Sequence, residues 1–240
     1  MTDASAVDPF PRGAPVVTLD GPSGSGKGTL SRALAARLGW HLLDSGALYR
    51  LVGLVALRAG WHSDRPGDAA RAAAAAAGLD VTFAPARGSA EQRVLLAGED
   101  VSARIRAQDI AEIASAFAAL APVRAGLLHR QRGFAQPPGL VADGRDMGTV
   151  VFPEARLKVF VTASARERAG RRRAQLCEQG RDASIDRIYR DIRARDDRDA
   201  TREHSPLQPA CDAVLLDTTG SKVEESLSRL VALLAGRGLV

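Results

Sequence analysis

Apolar residues along this chain fall into short unbroken runs and into longer stretches where they recur every three or four positions. The first run, Pro15–Asp20, reads as a buried strand that passes straight into a glycine-rich loop. From Thr29 to Leu38 the apolar positions Leu30, Ala33, Leu34 and Leu38 take helical spacing. Trp40–Asp44 is a second strand, and from Ser45 a helix carries Leu48, Leu51, Val52 and Val55 on one face. Strand, loop, helix and strand in that order open a parallel sheet.

The middle of the chain changes character. Asp64 and Pro66 open an alanine-rich helix that Gly78 ends, and the low-complexity run Arg71–Ala77 suits a helix well. LDVTFAP and EQRVLLAGEDVSARI then read as short strands with a tight turn near Gly98, close enough together to pair antiparallel. Gly60 to about Arg106 is therefore expected to be a small inserted lobe. Helices follow from Ala107 to Phe134, interrupted at Pro122 and ended by the Gln136–Gly139 breaker. Gly139–Ala142 and Leu157–Ala163 are further core strands, with helices over Ser164–Gln179 and Ser184–Arg202. Asp212–Thr218 is the fifth strand, and a last helix runs from Ser221. The pattern predicts an α/β fold with a five-stranded parallel sheet. Its core spans 15–59 and 107–240, an insertion occupies 60–106, and residues 1–14 form a disordered tail.

Composition is that of a globular chain, with 45% hydrophobic and 25% charged residues over 240 positions. Aromatic residues make up only 4%, low for a protein that stacks on nucleic-acid bases. The net charge of +5 is local. Arg156, Lys158, Arg166, Arg168, Arg171, Arg172 and Arg173 face a single Glu167, whereas Arg181–Glu203 interleaves Arg and Asp. That distribution suits a phosphate clamp better than a general polyanion surface, so neither nucleic acid nor membrane is an expected partner. Cys177 and Cys211 lie far apart with no metal spacing, which points to reduced thiols and a cytoplasmic location. The opening MTDASAVDPFPRGAP lacks the basic and apolar regions of a signal peptide, and no apolar stretch is long enough to span a membrane.

The strongest chemical signal is Gly21-Pro-Ser-Gly-Ser-Gly-Lys27, a GxxxxGK match set between a strand and a helix. Glycines let backbone N–H groups turn inward around phosphate oxygens, and the following helix N-terminus adds donors and partial positive charge. Lys27 reaches the β- and γ-phosphates as a mobile point charge. Only three of the 33 basic residues are lysines (Lys27, Lys158 and Lys222), and one stands at the motif position. The strict pattern puts Ser or Thr next, to hold Mg²⁺; here Gly28 stands there and the hydroxyl comes at Thr29. Direct protein ligation of the metal is therefore not expected. Mg²⁺ would be held by phosphates and water, with Asp143 acting through water. The ATP-binding set is Gly21, Pro22, Ser23, Gly24, Ser25, Gly26, Lys27, Gly28 and Thr29.

The GKGT ending resembles that of nucleoside monophosphate kinases, and DSGALYR (Asp44–Arg50) and ADGRDMGTVVFP (Ala142–Pro153) closely resemble bacterial cytidylate kinase. LAGEDVSARIR, PVRAGLLHRQRGF and RARDDRDATRE are similar too, so the likeness runs from about Val16 to the C-terminal helix. It implies a P-loop kinase core with a nucleotide-binding insertion at 60–106 and an arginine-rich lid at about 164–183. The implied reaction transfers the ATP γ-phosphate to CMP or dCMP with Mg²⁺. By the same resemblance Ser45, Tyr49 and Arg50 sit beside the acceptor nucleotide. Ser115, Arg124, Arg145, Asp146, Arg195, Asp199 and Arg202 surround its base, sugar and phosphate, and Arg106 is an extra contact. Arg168, Arg171 and Arg172 match the family's lid arginines and join Lys27 as the catalytic set.

Residue chemistry bears on these assignments independently. Asp146 can accept from the exocyclic amine of cytosine and would repel the carbonyl of uracil. Arg145 suits bidentate phosphate contact. Without a ligand, Gly144–Gly148 would be an ordinary turn with surface charges. On the Ser184–Arg202 helix, Ile185, Ile188 and Ile192 share a face that continues as Arg195, Asp199 and Arg202. Inward charges are costly unless they meet a ligand or each other, and the sequence leaves both open. Arginines closing over a transferring phosphate stabilise spread charge, while Arg166 and Arg173 read as solvated. The acceptor phosphate is already ionised at neutral pH, so no strong general base is required. Rival readings are a UMP or AMP kinase, a P-loop switch protein and a basic nucleic-acid binder. DSGALYR and GRDMG oppose the first, and the lack of an NKxD string opposes the second. The expected assembly is a monomer acting on small nucleotides.

Overall fold

In a computed structural model, residues 14–85, 92–178, 180–181 and 183–240 are described. Nearly all of the tail expected at 1–14 lies outside them. The chain divides into two compact units, one comprising Asp44–Phe134 and the other Gly13–Leu43 with Ala135–Val240.

The second unit holds the parallel sheet. Its strands are β1 (Val16–Asp20), β2 (His41–Asp44), β6 (Leu140–Gly144), β7 (Leu157–Thr162) and β8 (Val214–Asp217), in the order β2-β6-β1-β7-β8. β1 lies centrally, paired parallel with β6 and β7. Val17, Leu19, Val141, Val159 and Val161 are fully or almost fully buried and pack with Leu30 and Leu34 of α1 (Lys27–Leu38) and Leu230 and Leu234 of α8 (Val223–Ala235). Burying each such side chain contributes roughly 1.5–3 kcal/mol, and this cluster fixes where the strand ends lie. Leu19 pairs with Asp143 and Asp20 with Gly144, so the loop after β1 and the turn after β6 leave the sheet side by side. This is the carboxyl-end edge where open α/β sheets bind ligands. α6 (Ala165–Glu178) and α7 (Ile185–Ala200) pack through Ala169, Leu176 and Ile188. α7 stops at Ala200, so Arg202 lies just beyond the helix that the sequence extends to it.

The Asp44–Phe134 unit is helical with a small sheet. α2 (Ser45–Ala59) starts where the Asp44 carboxylate accepts from the Ala47 N–H at 3.1 Å, and ends where Gly60 takes φ 67°. α3 (Pro66–Ala77) opens with Pro at its first position. α4 (Gln108–Phe117) and α5 (Ala121–Arg132) are the helices expected over Ala107–Phe134, and they are bent by 102° at a break just before Pro122. β3 (Val81–Pro85), β4 (Gln92–Leu96) and β5 (Glu99–Asp100) form the antiparallel sheet expected there. This unit exceeds the 60–106 stretch because α2 packs on α4 and α3 on α5. Small residues allow both packings: a Cβ on Gly53 would lie 3.0 Å from the Ala114 nitrogen, and one on Gly126 2.6 Å from the Ala73 oxygen. Among the described residues no single helix is long and apolar enough to cross a membrane.

Candidate functional site

The phosphate loop takes the shape its glycines permit. Gly21 leaves β1 with φ 149°, and a Cβ there would lie 2.0 Å from the Val161 oxygen, so only glycine fits. Gly24 and Gly26 have φ 79° and 86°, which side chains rarely adopt. Gly26 precedes α1 directly, and no side chain caps its first turn, leaving those N–H groups for an anion. Helix α1 begins at Lys27, two residues before the sequence pattern starts it. Lys27 is buried, donates to the Pro22 carbonyl at 3.3 Å and stands 3.9 Å from Asp143 Oδ1.

Gly28 gains a physical reason. A Cβ on it would lie 3.1 Å from Asp143 Oδ2, so the Asp143 carboxylate fills the space where the motif's hydroxyl would project. Thr29 is exposed. The hard-oxygen donor beside Lys27 is thus a carboxylate from β6, a chemistry that suits Mg²⁺ shared with phosphates and water.

Arginines surround the loop in an order the sequence does not reveal. Arg168 is 4% exposed and held by protein oxygens. Its Nε donates to the Ala163 carbonyl at 2.9 Å and its Nη1 to the Ser23 carbonyl at 3.2 Å. Nη1 and Nη2 also grip Asp196 at 3.0 and 2.6 Å. Arg171 donates to Thr218 Oγ1 at 3.1 Å, to the Thr218 carbonyl at 2.6 Å and to Glu167 at 3.1 Å. Its Nη1 lies 3.4 Å from a Cβ placed on Gly26, which puts it over the phosphate loop. Arg172 is half-buried, while Arg166 and Arg173 are exposed.

The turn after β6 carries the Arg145–Asp146 pair. Asp146 is 2% exposed, and the five residues after it, Met147–Val151, form a π-type turn. Asp199, 1% exposed, receives Arg145 Nε at 3.1 Å and a close contact from Arg202. Burial works to raise the Asp199 pKa, but the charges of Arg145, Arg202 and Arg195 outweigh it and hold the carboxyl below its usual range. The charged continuation of the α7 face thus meets partners within the protein.

In the Asp44–Phe134 unit, Ser45 is buried at the start of α2. The Arg124 guanidinium lies 5.4 Å from the centre of the Tyr49 ring and donates to the Ala118 carbonyl at 3.0 Å. Arg50 donates to the Ile105 carbonyl at 3.2 Å, and Ser115 is half-buried on α4. Arg106 is exposed and donates to the Ser102 carbonyl.

Sequence reasoning missed two residues. Asp196 follows Ile192 by one helical turn and clamps Arg168. Asp20 ends β1, and burial pushes its carboxyl up to about 7 despite N–H donation from Gly148 and Met147; the nearby charges of Asp146 and Asp143 add to the rise. The signal for Asp20 was present: Thr18 and Asp20 are polar at alternate, buried positions of an otherwise apolar strand, so they share a face that needs partners.

A sequence profile described as cytidylate kinase matches residues 17–235. The chain is 53% identical over 225 residues to a cytidylate kinase of Aeromonas hydrophila, covering 93% of this chain and 95% of that protein. It is also 53% identical over 227 residues to one of Pseudomonas putida, covering 95% and 98%. A solved structure, TT1252 from Thermus thermophilus, aligns over 93% of this chain and 97% of its own at 17% identity, with a TM-score of 0.43.

Proposed function

We propose that this chain, which belongs to the cytidylate kinase family, transfers the γ-phosphate of ATP to CMP or dCMP, giving ADP and CDP or dCDP. The observation that carries the reading is the register Leu19–Asp143 and Asp20–Gly144, which sets a phosphate loop and a buried Arg-Asp turn at adjacent strand ends. An oxygen of the acceptor phosphate attacks the γ-phosphorus, and the bond to the β,γ-bridging oxygen breaks as ADP leaves. No proton needs to move, because the acceptor phosphate (second pKa about 6) is mostly ionised at neutral pH.

The chain's own residues divide the work. The amides of Gly21–Thr29 and the α1 N-terminus bind the donor phosphates, and Lys27 places its charge on them. Asp143 would hold Mg²⁺ through water, and the ion bound to ATP would neutralise phosphate charge. Arg171 lies over the loop and, with Arg172, faces the developing charge. Arg145 binds the acceptor phosphate, and Asp146 accepts from the cytosine amine. Asp199 orients Arg145 and Arg202. Ser45, Tyr49, Arg50, Ser115, Arg124 and Arg195 carry the acceptor roles that the family likeness gives them. The exposed thiols of Cys177 and Cys211 fit a reducing cytoplasm, and a monomer acting on small nucleotides completes the reading.

A coupled assay with MgATP and CMP, dCMP, UMP or AMP tests this directly. CMP and dCMP should show the highest kcat/KM, and EDTA should stop the reaction. Preference for UMP or AMP would overturn the assignment.

A further inference from the structure

Both oxygens of one buried carboxylate are committed to the turn that carries Arg145 and Asp146. Asp20 is 6% exposed; its Oδ1 accepts from the Met147 N–H and its Oδ2 from the Gly148 N–H, each at 2.8 Å. These are the two amides that follow Asp146. The turn itself closes through the Asp146 carbonyl, which accepts from Val150 at 2.9 Å and Val151 at 3.2 Å. No side chain within it caps its start.

Asp20 has little freedom of its own. It is paired with Gly144 on one side and Phe160 on the other, and the next residue, Gly21, is pressed against Val161. The turn is confined at Gly148 too. A Cβ on Gly148 would lie 2.9 Å from Thr18 Oγ1 and 3.2 Å from the Lys158 stem. The main chain of Asp20 therefore leads into the phosphate loop while its side chain fixes the turn bearing Asp146.

We infer that Asp20 is a positioning residue for acceptor choice: by pinning Met147 and Gly148 it aims the buried Asp146 carboxylate, and so sets how strongly an exocyclic amine on the acceptor base is preferred to a carbonyl. The inference rests on the acceptor reading of Asp146 above. Its chemical logic is the acceptor-only character of an ionised carboxylate. Two oxygens face two N–H groups, whereas an amide of the same shape turns an NH₂ toward one of them.

The test is Asp20→Asn, assayed with CMP and UMP, together with the KM for ATP and the melting temperature without ligands. The kcat/KM ratio of CMP to UMP should fall by roughly tenfold, toward that of Asp146→Asn, with the KM for ATP within about twofold of wild type. A variant that merely folds less well loses both activities equally and keeps the ratio. Gly148→Ala provides a second route, because its added methyl displaces the amide while Asp20 stays intact. An unchanged ratio in either folded variant overturns the proposal. Failure of both variants to yield folded protein overturns it as well, since the contact then serves folding alone. A wild-type enzyme with no preference for CMP over UMP refutes the acceptor reading itself, an outcome distinct from a preference that Asp20 does not influence.

Discussion

Asp199 and Asp20 are both buried aspartates, and their surroundings push them in opposite directions. Asp199 sits among Arg145, Arg202 and Arg195, whose charges overcome the cost of burial and keep it ionised. Asp20 has two backbone amides, with Asp146 and Asp143 nearby, and burial prevails, lifting its pKa to about 7. Both carboxylates accept hydrogen bonds, yet only one is neutralised by full countercharges. Burial therefore decides the charge state of a carboxylate only where no countercharge outweighs it. Around α7 the protein has invested in ion pairs, whereas at the end of β1 it accepts a poorly compensated carboxyl in return for geometry.

The largest effect that separates the two regions is expected from Asp199→Ala. Removing the carboxylate leaves Arg145 and Arg202 without their buried partner, and the ligand-free protein should lose about 3–5 kcal/mol in chemical denaturation. An unchanged denaturation midpoint would mean that these arginines find water instead. Lys27→Ala is the counterpart near β1: turnover should drop by about 10²–10³, because the lost charge is aimed at the donor phosphates. Near wild-type turnover in that variant would remove the loop from the donor site.

Asp196→Ala should cost less stability than Asp199→Ala. Asp196 is partly exposed and Arg168 keeps the Ala163 and Ser23 carbonyls, so a loss of about 1.5–3 kcal/mol is expected. A cost equal to that of Asp199→Ala would show that the Arg168 clamp is as closed to water as the Asp199 cluster.

The smallest effects are in pH dependence, where the two carboxylates should part in sign. The folded pKa of Asp20 lies above its unfolded value, so its contribution to stability is complete below about pH 4 and is lost as pH rises through about 7. The folded pKa of Asp199 lies below its unfolded value, so its contribution is present above about pH 4 and is lost as pH falls further. The stability gap between wild type and Asp20→Asn should narrow from about pH 4 to 7, and the gap to Asp199→Asn should narrow as pH falls below about 4. Parallel curves for the two variants would dissolve the contrast.

Much of this arrangement was legible in the chain. Pro15–Asp20 and Leu157–Ala163 read as strands because their apolar runs supply the buried core, and the Gly21–Lys27 spacing fixes its loop through backbone geometry. Periodicity could not say where the inward charges of α7 go, since a ligand and an arginine cluster place the same demand on a helix face. Arg168 was similarly opaque. Its place in an arginine run suggests a phosphate contact, but its partners Asp196 and Ser23 arrive from distant segments. Asp20 was passed over because a strand-ending aspartate beside a glycine motif looks like part of the turn. Local spacing identifies which residues are close to the chemistry, and only tertiary pairing shows which of them are held by the protein.

Gly28 and Asp143 form one further pair that the sequence presents as two separate facts. The side-chain oxygen nearest position 28 comes from the neighbouring strand and not from the helix. Serine placed at 28 alone would crowd Asp143, and removing Asp143 alone would leave the position without an oxygen. The two positions should consequently be inherited as a unit. Selection from a library randomised at both should return Gly with Asp, or Ser with a small residue, and mixed combinations should be depleted. A departure from the motif at one residue becomes a linkage rule for another far along the chain.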